Sequence, residues 1–133
     1  KAIEFDGGTE FIVIRYADVL LLYAEALNAN DKTSEAYQYV DLVRERSNME
    51  KLSITRPGLD KNAFLEQLKH ERVVELSGEV GRFYDLKRWG MYNSGNAVRD
   101  PNFATFQDGR SEFQPIPQQE LDLNDNLIQN PGY

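Results

Sequence analysis

Apolar residues recur along this chain at more than one spacing. Between Phe11 and Tyr16 the residues are β-branched and aromatic, which predicts a short strand or an extended lead-in. From Ala17 to Asn28 the pattern changes. Ala17, Leu20, Leu21, Ala24 and Leu27 return every three or four residues, the period of one helix face. Leu22 and Tyr23 widen that face, so the pattern predicts a helix covered on more than one side. Asn28, Asn30 and Asp31 bring turn chemistry to its end.

A second helix is expected from Thr33 or Ser34, either of which suits an N-cap, to about Arg46, with Glu35 at the positive end of its dipole. Its inward positions are Ala36, Tyr39 or Val40, and Val43. So short a loop predicts an antiparallel helical hairpin. Ser47 to Asp60 reads as a connector with a turn at Pro57-Gly58. Asp60 is placed to cap a third helix, about Lys61 to Leu76, whose apolar positions are Phe64, Leu65, Leu68, Val73 and Leu76. A short fourth helix is expected from Arg82 to Trp89, stopped by Gly90. Residues 91–112 read as a long surface loop. The tail from Pro115 to Tyr133 reads as extended, its prolines opposing a helix. Ile116, Leu121, Leu123, Leu127 and Ile128 are expected to lay that tail over the helices. The fold expected is mostly α, with tetratricopeptide-like hairpins, long irregular connections and an extended C-terminal tail.

Composition narrows the partners. The chain has 133 residues with a net charge of −7 and no basic block, which argues against nucleic acid. With no cysteine there is neither a disulfide framework nor a thiolate metal site. No metal site or cofactor motif is visible. The apolar stretch around Val19 to Ala29 contains Glu25 and is too short to span a bilayer, so a membrane anchor would lie outside these residues.

Candidate chemistry is sparse. Glu71 and Glu75 share a helix face, as a pair of glycosidase carboxylates would, but each has arginine close in sequence, and an arginine-paired carboxylate is a poor general acid. His70 sits on a polar stretch and reads as solvent-exposed. No nucleophile motif or phosphate loop occurs, so the chain is not expected to be an enzyme. Arg72 with Glu75, and Arg82 with Asp85 and Arg88, stand at ion-pairing helical spacings. Together with Arg15, Glu25 and Trp89 they are expected to be structural. Tyr92, Asn93, Phe103 and Phe106, joined by Asn96 and Gln107, carry the residue types of a sugar platform, and the loop is the candidate ligand site.

Ala24 and Ala36 provide the small side chains that a close helix crossing needs, an arrangement similar to a tetratricopeptide repeat. Five blocks together resemble the C-terminal region of the SusD/RagB family: Arg15-Tyr16-Ala17-Asp18 through Glu25-Ala26; Val43-Arg44 with Arg46; Glu71-Arg72 and Glu75-Leu76 followed by Gly81 to Gly90; Pro115-Ile116-Pro117 with Glu120; and Gln129-Asn130-Pro131-Gly132-Tyr133. Ser77-Gly78-Glu79-Val80 and Val73 depart from the family pattern. The resemblance implies that residues 1–133 are the C-terminal helical domain of a longer lipoprotein on the extracellular face of an outer membrane. It further implies that the protein binds an oligosaccharide or other nutrient and delivers it to a SusC-like TonB-dependent transporter. The alternative is a tetratricopeptide-type adaptor binding another protein.

Overall fold

Helix α1 (Tyr16–Ala29) buries Ala17, Leu20, Leu21, Ala24 and Leu27, the five positions selected by the spacing of apolar residues. In the computed structural model, residues 12–79, 81–98 and 100–133 are described. They fall into two units, one ending at Glu79 and the other continuing to Tyr133.

In the first unit α1 and α2 (Thr33–Arg46) pack against each other, and both contact α4 (Lys61–Glu75). Ala24 and Ala36 are completely buried, as a close crossing requires, and Val40 and Val43 fill the same layer. The centre is Phe64, shut off from solvent with Leu21, Leu68 and Leu52 around it; the Tyr37 ring lies 4.9 Å away. Both hairpin helices end alike. Asp31 and Asn48 adopt positive φ, and the next N–H donates back to the helix, Lys32 to the Leu27 carbonyl and Met49 to that of Arg44, each at 2.9 Å. Asp60 caps α4 as expected, its carboxylate accepting from the N–H groups of Asn62 and Ala63.

Several expectations are corrected. Residues 12–15 form no strand. Arg15 is extended and α1 begins at once, so the lead-in is the form observed, while Phe11 lies outside the described residues. A strand needs a ladder partner, and no β-strand occurs among the described residues. Leu22 and Tyr23 are exposed, because each helical step turns about 100° and carries them past the flank that α2 and α4 occupy. Thr33 is the first residue of α2 rather than its cap; its hydroxyl donates to the Asn28 carboxamide at 2.7 Å. Asn28 lies inside α1, buried, and its amide donates to the Lys61 carbonyl at 2.9 Å, so it ties two helices together instead of ending one. The connector holds a single helical turn, α3 (Leu52–Thr55), which seats Leu52 in the core. Val73 is exposed, and its predecessor Arg72 is buried.

The second unit begins with α5 (Arg82–Arg88), ended by Trp89 and by Gly90 at positive φ, as expected. Two 3₁₀ turns, Ser94–Val98 and Pro101–Phe103, organise what the sequence suggested was plain loop. The tail is largely without regular structure but carries one short helix, α6 (Gln118–Leu123), where none was expected. Pro117 explains it: proline bars helix before itself, yet is well suited to a helix start.

Candidate functional site

In the first unit the charged residues expected to be structural converge on helix ends. The Arg15 guanidinium donates to the Glu75 carboxylate at 3.0 Å and to the Glu75 backbone carbonyl at 2.8 Å, and its Nε donates to Glu79 at 2.9 Å. The bonds to Glu79 first, and then to Glu75, raise the pKa of Arg15 above its ordinary value. Arg46 reaches the same Glu75 carboxylate at 2.9 Å. Buried Arg72 pairs with Asp18 of α1 at 2.8 Å, so its observed bridge runs between helices rather than along one. Glu71 receives Arg44 together with the Gln67 side-chain amide. The two neighbouring carboxylates are thus committed to different arginines. Glu25 is half-buried on α1 and His70 is exposed on α4.

Two further polar anchors escaped the sequence. The Tyr37 hydroxyl donates to the Arg56 carbonyl at 2.7 Å and accepts from the Leu59 N–H at 2.9 Å. Asp41 accepts from both the backbone N–H and the hydroxyl of Ser53. Both hold the connector onto α2. A buried polar group needs such partners, but the partners lie twelve or more residues away, beyond the reach of a periodicity argument.

In the second unit the candidate ligand loop closes around aromatic rings. Tyr92 lies edge-on to Phe83 (5.0 Å between centroids), Phe103 (5.6 Å) and Phe106 (5.0 Å), and Phe103 stacks on Phe106 at 5.5 Å. Edge-to-face packing at these distances is attractive beyond the area it buries. Tyr92, Phe103 and Phe106 are each half-buried, so the cluster both holds the loop together and shows part of each ring to solvent. Asn93 donates to the Gly90 carbonyl at 2.7 Å, which fixes the turn after α5. Asn96 is buried, while Gln107 is exposed and accepts from Arg110. Asp108 accepts from the backbone and hydroxyl of Ser94, and those bonds, the hydroxyl's first, hold its pKa below the ordinary carboxylate value. Asp85 is buried and receives Arg88 at 2.9 Å. Arg88 also lies over the Trp89 ring, 4.6 Å from its centroid, and Trp89 is half-buried rather than core. Arg82 is exposed at the first position of α5.

The comparisons with known proteins agree with one another. The model of the SusD family matches residues 5–133. Two SusD-like proteins of Formosa agariphila are 37% and 36% identical to this chain over 96% and 97% of its length, and the chain covers 27% and 26% of theirs. The crystal structure of a SusD superfamily protein from Bacteroides vulgatus is similar with a TM-score of 0.76 and 33% identity, over 90% of this chain and 27% of that one. The chain therefore spans little more than a quarter of the length of these relatives.

Proposed function

Because the chain belongs to the SusD family, matched over residues 5–133, we propose that it forms the C-terminal helical domain of a longer nutrient-binding lipoprotein. That protein stands on the extracellular face of an outer membrane, captures a glycan, and passes it to a SusC-like TonB-dependent transporter. The family match carries the reading. Binding and hand-over need no bond to be made or broken, and the arrangement of charged groups agrees with this: Glu71 and Glu75 are each occupied by guanidinium groups. The helices serve as scaffold, braced by Arg15, Arg72, Glu75, Asp85 and Arg88. The half-exposed rings of Tyr92, Phe103 and Phe106, beside Asn93, offer a surface for a sugar. No helix among the described residues is long and apolar enough to cross a membrane, and attachment through a lipid outside these residues is compatible with that.

An adaptor of tetratricopeptide type would repeat its hairpin after roughly 34 residues. Here α4 starts at Lys61, late for that interval after Tyr16, and follows a connector carrying α3. The spacing favours the SusD-like reading.

The test is calorimetric titration of the full-length protein with a panel of oligosaccharides, while new reducing ends are followed in the same samples. Saturable binding without new ends supports the proposal, and Tyr92→Ala or Phe106→Ala should weaken it at least tenfold. Turnover that disappears in Glu71→Gln or Glu75→Gln would show an enzyme instead.

A further inference from the structure

A groove of about 260 Å³ runs between the end of α2, helix α3 and α4 of the first unit. Met49 and Val74 give it an apolar wall above the buried Leu52; Arg44, Arg56, Gln67 and Glu71 give it a polar one. Arg44 and Glu71 cancel each other by direct contact. The Gln67 amide N–H donates to that same Glu71 oxygen at 2.7 Å, which leaves its carbonyl to accept from Arg56 Nη1 at 3.0 Å. Arg56 is therefore positioned by a neutral group and keeps its full positive charge. A guanidinium has five N–H donors in a planar fork, and this bond occupies one of them. Arg56 is exposed, and its side chain has no carboxylate partner among the described residues.

We infer that the groove binds a small hydroxylated carboxylate of the uronic-acid kind. The ligand carboxylate meets Arg56 in a charge-assisted, bidentate pair. Its hydroxyls, each both donor and acceptor, meet the second N–H of the Gln67 amide, and one carbon face lies on the apolar wall. The volume of about 260 Å³ has room for a single sugar ring. The chain as a whole is acidic, at −7, but charges more than about 10 Å away are largely screened at about 0.1 M salt. The contact charge at Arg56 is what a bound carboxylate experiences.

Ligand-observed NMR on the full chain, with D-galacturonate, D-galactose and acetate as separate probes, tests this. Galacturonate is expected to bind saturably, and galactose and acetate at least tenfold more weakly. Arg56→Gln, an exposed substitution that should leave the melting temperature unchanged, is expected to lower galacturonate affinity at least tenfold, and Arg56→Lys to recover part of it. The inference is overturned if galacturonate does not bind saturably, if galactose binds as well as galacturonate, or if Arg56→Gln binds like the parent. Acetate binding as tightly as galacturonate would reduce the groove to a plain anion site and overturn it too. Tyr92→Ala should leave galacturonate binding intact, which separates this groove from the glycan surface proposed above.

Discussion

Arg15, the residue that precedes α1, holds Glu75, the last residue of α4, by both the side-chain carboxylate and the backbone carbonyl. One guanidinium thus fixes where one helix starts against where another stops. The Glu75 side chain is only 8% exposed, and Arg46 shares it. Breaking a buried pair by removing one partner costs about 3–5 kcal/mol. Arg15 and Arg46 remain partly in water, so Glu75→Ala should cost nearer the lower end, about 3 kcal/mol. Urea unfolding of the parent and the variant measures it.

Phe64 and Tyr23 make a paired test of burial. Phe64 is fully enclosed, so Phe64→Ala should lose about 3–5 kcal/mol. Tyr23 is half exposed and meets Tyr39 edge-on at 4.7 Å, so Tyr23→Ala should lose only about 1 kcal/mol. Equal losses in thermal unfolding would mean that α1 is covered on both faces after all.

Trp89 separates a core ring from a bracing one. Half-buried with Arg88 over its face, it should cost about 2 kcal/mol on truncation to alanine, less than a fully buried tryptophan. A loss as large as that of Phe64→Ala would place it in a core.

The Ser94–Asp108 contact predicts a pH dependence with a definite sign. The folded pKa of Asp108 is lowered, so its bond to Ser94 stabilises the fold above the ordinary carboxylate pKa of 3.8. That stabilisation disappears as the pH falls through the folded value. Ser94→Ala should move the Asp108 titration, followed by carboxyl NMR, upward toward the ordinary value. The same titration in both proteins would remove the contact from the account.

The scaffold was largely legible because helix periodicity is local. Ala17, Leu20, Leu21, Ala24 and Leu27, the cap at Asp60 and the stop at Gly90 all follow from residues within a turn or two. Pairing was less legible. Arg72 and Glu75 stand at a spacing that allows a bond along one helix, yet the observed bridges of Arg72 to Asp18 and of Glu75 to Arg15 are tertiary. Asn28 read as a helix terminator because its type favours turns; its burial beside Lys61 comes from packing the sequence pattern does not contain. In the candidate ligand loop the residue types were visible, but the edge-to-face assembly around Tyr92 depends on rings brought from α5 and a 3₁₀ turn.

The tail ends in a different kind of attachment. The side-chain amide of Gln129 accepts from the Ile116 N–H at 2.8 Å and donates to the Ile116 carbonyl at 2.9 Å, imitating one rung of a sheet with no strand on either side. The Asn130 amide also donates to the Gln114 carbonyl at 2.6 Å and the Tyr133 hydroxyl to the Phe113 carbonyl at 3.1 Å, so three side chains close the same end of the tail. Release of the tail near Ile116 should therefore be cooperative, and the Ile116 amide hydrogen, which stands between two prolines that carry none, should exchange slowly. The segment after Pro115 behaves as a clasp, not a seam.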